Sequence, residues 1–491
     1  MNKLNLRYAL ILLIYLCTFS ASAQQQSLTI EDVILRAKAQ SPFSKQAETR
    51  KENRFWAYRS YKTNFNPQLV LVGMLPTYAK SVNAIPQPDG TYKYIPVEQT
   101  FNNVRLGLVQ PIFMTGATIS ANTSLNYFKD FRTAEAAEQW SGSVMNVELE
   151  QPLFAFNPLK WERKIQPLIY EESKREYVEQ MEFISEQSAL RFFNVLQEQI
   201  KLQIATFNLA NNDTIYKIEQ GRYNIGTTSQ DKLLQVELQL LRSRQAVGQA
   251  NLDLETARLE LRTYLGLRDN DAFPELILPE SIPMFDVSME EAIDHAKKNR
   301  AQFISFERQR LQAERDLARA RGNRFQTSVS AAYGLNNNGV VLNDVYQDPL
   351  EQQQVSVTFS IPVLNWGRNK AMMKSAIANK KLTDYIIEQD EVTFEQDIMT
   401  LVRQFELLRM QIDITKKADE VAAQRYNVAQ NRYLIGKIDI TNLNIALEEK
   451  DNAKMSYIEA LKSFWTSYYQ LRRLTLYDFA SKTLLYVETP E

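Results

Sequence analysis

Two hydrophobic patterns run through the chain, and each occurs in both halves. Residues 168–220 and 371–435 contain neither proline nor glycine and read as very long helices. At about 1.5 Å per residue, the second run is on the order of 100 Å of uninterrupted helix, far beyond three or four turns. No ordinary globular core holds such a helix. Each run closes on the same turn, Arg222-Tyr223-Asn224-Ile225-Gly226 and Arg432-Tyr433-Leu434-Ile435-Gly436. Gly226 and Gly436 suit the left-handed position that ends a helix, and Ser229 and Asp439 are placed to cap the helices that return. The pattern therefore predicts two helical hairpins, with shorter returning helices over 229–265 and 440–477.

The second pattern has period two. Val355, Val357, Phe359 and Ile361 alternate with Ser356, Thr358 and Ser360. Ile119, Ala121, Leu125 and Tyr127 alternate with Ser120, Asn122, Ser124 and Asn126, and Val147 and Leu149 alternate with Asn146, Glu148 and Glu150. One apolar and one polar face is the mark of a half-buried strand. Such strands fit a membrane β-barrel with lipid outside and water inside, and they fit a soluble sandwich equally well. Six segments are expected: 68–75, 103–112, 117–128 and 143–151 in the first half, 326–335 and 353–361 in the second. Long loops are expected over 76–102 and 129–142, and a short turn at Met114-Thr115-Gly116.

The halves are copies. Leu28-Thr29-Ile30-Glu31-Asp32-Val33-Ile34 matches Val287-Ser288-Met289-Glu290-Glu291-Ala292-Ile293 at an offset of 259 residues (287 against 28). Gln151-Pro152-Leu153-Phe154 matches Ile361-Pro362-Val363-Leu364 at an offset of 210 (362 against 152), as do the two glycine turns (436 against 226). A constant offset points to duplication. The drop from 259 to 210 places 49 extra residues in the first half, between about 62 and 151. Short helices are expected at 27–62 and 289–321, an irregular linker at 267–286 and a small tail strand near Leu484-Leu485-Tyr486-Val487.

Composition changes this picture at the N-terminus. Lys3 and Arg7 precede an apolar stretch from Tyr8 to Phe19 and Ala21-Ser22-Ala23, the layout of a cleaved secretory signal. Leu16 before Cys17 does not suit a lipoprotein signal. Cleavage removes the only cysteine and takes the net charge from −1 to −3, by loss of Lys3 and Arg7, which gives nucleic acid no purchase. Beyond the signal no apolar run is long enough for a transmembrane helix, so a spanning region would have to be made of strands.

With its secretion signal, duplicated strands and glycine-turned hairpins in this order, the chain resembles the TolC family of outer-membrane efflux channels. The resemblance covers nearly the whole mature chain. It implies an α+β membrane protein in which a homotrimer joins a transmembrane β-barrel to a periplasmic α-helical coiled-coil barrel. It also implies a periplasmic adaptor and an inner-membrane pump as partners, outer-membrane lipid around the barrel, and a passive duct for small molecules or peptides. The organisation expected is a signal peptide over 1–23, a first repeat over 24–266, a linker over 267–286, a second repeat over 287–478 and a tail over 479–491. By resemblance, the adaptor-docking tips are Gly226, Thr227, Thr228 and Ser229 with Gly436, Lys437, Ile438 and Asp439. The gate would draw on Arg432 and Tyr433, and on the positions where the family often carries aspartates; Lys232 and Asn442 stand there, with Asp231 one residue early. Two readings of Arg432 and Tyr433 stay open: ties between neighbouring helices, or a solvated charge and a packing knob. The family has four strands per chain, so six segments imply a trimer of eighteen strands or an extra pair folded aside.

Chemistry is sparse. His295 is the only histidine, on a charged helix that reads as solvated, so neither a metal cluster nor a histidine acid–base pair can form in one chain, and no cofactor is expected. Phe192-Phe193, Phe464-Trp465 and Tyr468-Tyr469 read as inter-helix packing. Phe154, Trp161 and Trp366 follow strand ends, where aromatic girdles sit. An enzyme is not expected. The competing class is a periplasmic coiled-coil scaffold with a soluble β domain that transports nothing.

Overall fold

A computed structural model describes residues 27–132, 137–267, 274–279, 281–322 and 326–486. The expected signal peptide, Val487 and part of the linker lie outside the described residues. Among those described, no helix is long and apolar enough to cross a membrane.

Duplication is visible in helix lengths. Helices α1 (Ile30–Gln40) and α5 (Met289–Asn299) each have 11 residues, and α2 (Pro42–Thr63) and α6 (Ala301–Gly322) each have 22. The long helices α3 (Pro158–Asn224) and α7 (Arg368–Leu434) each have 67, and their returning partners α4 (Gln230–Leu265) and α8 (Ile440–Thr475) each have 36. The single helix expected at 27–62 is instead two. Ser41 precedes a proline and is extended (φ −62°, ψ 149°), its carbonyl and hydroxyl receiving Lys45 N–H and Ser44 N–H as α2 begins. The helix expected at 289–321 breaks likewise at Arg300, without proline, because Glu179 accepts the Ala301 N–H at 2.9 Å.

The structure divides into two compact units, and both draw on both halves of the chain. One unit comprises the described residues within 27–51, 174–301 and 392–486. Its core is aromatic: Phe192, Phe193, Phe405 and Phe464 are completely buried beside Trp465, Tyr468 and Tyr469. Phe405 meets Phe464 at 4.9 Å and Phe285 at 5.2 Å between ring centres. Burial of each such ring contributes on the order of 2–3 kcal/mol, so the packing reading of these aromatics holds. The linker joins this core as extended chain: Leu276 pairs beside Leu28, and Gln199 both accepts from its N–H and donates to its carbonyl. A buried ion cluster ties α1, α3 and α8 to β8 (Tyr477–Asp478). Arg472 donates to Glu182 at 2.8 Å and to Asp478 at 2.9 Å, Tyr468 donates to Asp478, and Lys38 donates to Glu182. Burial raises the Asp478 carboxyl, but Arg472 and the Tyr468 hydrogen bond hold it below the usual value. β8 pairs with β9 (Thr483–Leu484), the small tail strand. His295 is not solvated as expected: its ring stacks on Tyr477 at 3.9 Å.

The other unit, Glu52–Ser173 and Gln302–Glu391, carries the sheet. Its strands are β1 (Gln68–Met74), β2 (Tyr78–Pro86), β3 (Tyr92–Ile112), β4 (Ala117–Asp130), β5 (Ala137–Leu153), β6 (Gln326–Gly339) and β7 (Leu350–Ser360). All neighbours are antiparallel, in the order β1-β3-β4-β5-β6-β7, and β2 continues the β1 column along β3. The sheet is thus six columns wide, and all six expected segments lie in it. The loop expected at 76–102 is mostly strand: β2 and the first half of β3 form a hairpin closed by Gln87 N–H to Thr91 C=O at 2.7 Å. Pro96 is tolerated because β3 outruns β4 there and no ladder bond is asked of it. Most of the loop expected at 129–142 is also strand, since the β4–β5 ladder runs on to Asp130 and Ala137. The extra 49 residues of the first half fall between the end of α2 and the start of β4, so they are the β1–β3 pair of columns.

Register sorts the two faces. Leu106, Ala121, Val147, Ala331 and Val355 lie on one face through the pairings of five successive columns, with Leu71 opposite Leu106. The other face carries Arg105, Ser124, Asn126, Ser143, Ser330 and Ser356, bonded to one another at Asn103–Asn126, Ser143–Asn336 and Ser330–Ser356. One face suits lipid and the other suits water. Past the strand ends, Phe154 (85% exposed) and Trp366 (90%) stand open, while Trp161 is half-buried in α3.

Candidate functional site at the hairpin tips

Each tip is built by the sequence motif that both halves share. Gly226 has φ +72° and Gly436 φ +75°, which a side chain would strain. In the first turn Thr227 N–H reaches back to Arg222 C=O and Gly226 N–H to Tyr223 C=O, at 2.8 and 2.9 Å; Lys437 and Gly436 repeat this on Arg432 and Tyr433 at the same distances. This is the Schellman closure of a helix end. The returning helices start as expected, Ser229 Oγ accepting from Lys232 N–H at 3.4 Å and Asp439 Oδ1 from Asn442 N–H at 2.9 Å.

The two turns are alike, but only one side chain of each type is engaged. Tyr433 is buried and its hydroxyl donates to Glu219 Oε1 at 2.7 Å, joining α7 of the second hairpin to α3 of the first. Arg222 donates to the same oxygen at 2.6 Å and to Leu434 C=O at 3.2 Å, its guanidinium 5.6 Å from the Tyr433 ring centre. Burial pushes the Glu219 carboxyl up, but hydrogen bonds from Tyr433, Arg222 and Thr228 outweigh it and hold the group below its ordinary value. Burial, then the Glu219 bond and charge, push the Tyr433 hydroxyl well up, so it stays a donor at all physiological pH. Beneath the tie, Ile215, Val236, Tyr426, Ile440 and Leu443 form a small apolar cluster. Asn211 donates to the Tyr426 hydroxyl at 3.1 Å and Asn212 to Ser243 at 2.6 Å.

Of the expected gate residues, Tyr433 is therefore a tie. Arg432 is exposed, and its repeat counterpart Arg222 takes the role instead. Asp231, Lys232 and Asn442 are exposed, as are Thr227, Ser229, Lys437 and Asp439; Thr228 and Ile438 are half-buried. Glu219 escaped the sequence reading because it has no repeat counterpart: the equivalent position is Ala429. Ile225 (75% exposed) and Ile435 (66%) also escaped it, although the repeated motif contains both. Each tip thus presents an apolar side chain to solvent above a tie between hairpins.

Comparison with known proteins gives this arrangement a context. The model of a family described as outer membrane efflux protein matches residues 33–267 and 292–475. A search of curated proteins finds no match. Among solved structures, the Campylobacter jejuni CmeC outer membrane channel is similar with a TM-score of 0.64 at 14% identity, over 91% of this chain and 85% of that one. The outer membrane protein VceC of Vibrio cholerae gives 0.63 at 13% identity, over 91% and 95%. The open state of the Neisseria gonorrhoeae MtrE outer membrane channel gives 0.60 at 15% identity, over 91% and 88%. These likenesses establish the fold, and the family match, over most of the chain and across both repeats, leaves the scaffold reading without support. The chain belongs to the outer membrane efflux protein family and is built as an outer-membrane exit duct.

Proposed function

We propose that three copies of this chain form the duct, that the hairpin tips are its periplasmic end, and that the tie of Tyr433 and Arg222 on Glu219 holds that end closed. The observation that carries this reading is the tie itself: a buried carboxylate on one hairpin bound by a tyrosine from the other, at the tips, below the exposed Ile225 and Ile435. A periplasmic adaptor would dock on Gly226, Thr227, Thr228 and Ser229 with Gly436, Lys437, Ile438 and Asp439, burying the isoleucines, and an inner-membrane pump would supply the energy. Docking opens the duct only so far as the adaptor binds the open arrangement more tightly than the closed one. Asp231, Lys232 and Asn442 would line the approach as a mixed set rather than an acidic ring. Repeats over 24–266 and 287–478, a linker over 267–286, a tail over 479–491 and cleavage after Ala23 complete the reading.

The test is the oligomeric mass and single-channel conductance of protein purified from outer membranes, with N-terminal sequencing of the same sample. A conducting trimer beginning at Gln24 is expected. A non-conducting monomer under conditions that refold other barrels would refute the duct.

A further inference from the structure

Among the described residues the sheet ends in two unpaired edges, β7 on one side and the β1–β2 column on the other. Both are long and exposed, and both are apolar on the lipid-type face, through Leu69 and Leu71 on β1 and Val355, Val357 and Phe359 on β7. β1 goes further, since Val70 and Val72 make its second face apolar too. An open apolar edge is a template for pairing with another chain unless something covers it. Strand direction says what fits. The column count is even and every neighbour is antiparallel, so β7 runs opposite to β1, and β7 of one copy can continue the ladder on β1 of the next with lipid-type faces aligned.

Independently, the other unit carries two unpartnered heptad stripes. Leu234, Leu238, Leu241, Leu252 and Leu259 on α4 are each about half exposed or more, and so are Leu407, Met410, Ile414, Val421 and Val428 on α7. The spacings of three, four, seven and, once on α4, eleven (seven plus four) keep the a and d positions of a coiled-coil seam. The two stripes lie on different hairpins, so they suit a head-to-tail contact, which closes into a ring.

We propose that copies of this chain join head to tail through β7 on β1 and through the α4 stripe on the α7 stripe, so that all six columns enter one barrel. This rests on the trimeric reading above, and it makes the barrel eighteen strands rather than the twelve of a four-column chain. Barrel diameter grows roughly linearly with strand number, so the lumen has roughly twice the cross-section and is an aqueous channel of the 16–18-strand class. The β1–β3 pair is then the element that widens the outer end.

Disulfide trapping decides the matter. Val70→Cys is combined in turn with Gln354→Cys, Ser356→Cys or Thr358→Cys, all on one face, and Ser120→Cys on β4 is combined with the same three. Adjacent strands lie about 4.8 Å apart, so in a six-column closure β4 is about 14 Å from the neighbouring β7, beyond disulfide reach. The expected result is a ladder of linked dimers and trimers for at least one Val70 pair and none for Ser120. Linkage through Ser120, or no linkage by either set in a conducting trimer, overturns the proposal while leaving the duct intact. Absence of any trimer from outer membranes removes the reading on which it rests.

Discussion

Replacing Tyr433 with phenylalanine is the sharpest probe of the tip. The ring stays and still fills the apolar cluster, so no cavity opens, and the single atom lost is the donor 2.7 Å from Glu219. A hydrogen bond to a charged group contributes about 1.5–3 kcal/mol. Glu219 retains Arg222 at 2.6 Å, so the lower end applies, about 1.5 kcal/mol. That is about a tenfold shift towards the open arrangement if each tie acts alone. If three ties break together, the shift is about 4.5 kcal/mol, or roughly three powers of ten. Open probability in planar bilayers reads the difference directly, and the size of the change reports whether the tips open singly or in concert. Tyr223→Phe is the matched control, because Tyr223 is the repeat counterpart and is exposed. An open probability for Tyr433→Phe equal to that of the parent, or equal opening by Tyr223→Phe, would refute the assignment.

Five further outcomes are expected. Because the Glu219 carboxyl is held below its usual 4.5, its contribution is fully present above that value and is lost as pH falls through the lower folded value; wild-type conductance should be flat from about pH 8 to 5 and rise only in stronger acid, and Glu219→Gln should abolish that acid response. Arg472→Met should cost about 3 kcal/mol, because it leaves Asp478 buried without its cation and Glu182 with Lys38 alone, and should lower the thermal unfolding midpoint by several degrees. Gly436→Ala should cost only about 1–2 kcal/mol, from backbone strain alone, since its Cβ would meet nothing within 4 Å. Gly266→Ala should cost more in chemical denaturation, because φ is +71° there and its Cβ would also lie 3.1 Å from Pro42. Gly436→Val should keep the assembly and lose efflux, and wild-type efflux by that variant would place the turn away from any working tip.

What was legible in the sequence was what repeats or alternates. Equal offsets foretold helices of equal length, and the glycine turns foretold their own caps, since a left-handed residue and an N-cap are local chemistry. The six columns were legible as well, because period two is set within each strand. What escaped depended on partners far along the chain. Nothing in Asn299-Arg300-Ala301 announces a helix break; Glu179, 122 residues earlier in sequence, supplies the cap that permits it. The region 76–102 looked like loop because of its prolines, yet Pro86 ends a strand and Pro96 sits where one flank of β3 is free. The tip tie was half legible: Tyr433 belonged to a motif, whereas Glu219 belongs to none.

That last asymmetry constrains how the duct can work. Duplication supplied two arginines and two tyrosines at the tips, but a carboxylate at one position only, Glu219, with Ala429 at the other. The copy that has the carboxylate binds its own arginine and the other hairpin's tyrosine, which leaves Arg432 and Tyr223 exposed at the second tip and the first. Within one chain the hairpins are therefore joined by an ionic tie over an apolar cluster, whereas the seam proposed above between copies is built on the exposed apolar stripes of α4 and α7. The two seams differ in kind. Loss of Glu219 charge weakens the seam within a chain and leaves the apolar seam between copies untouched. Acid or Tyr433→Phe should accordingly loosen the tips without dissociating the assembly, whereas a charge on an exposed stripe, such as Ile414→Glu, should dissociate the assembly without loosening the tie.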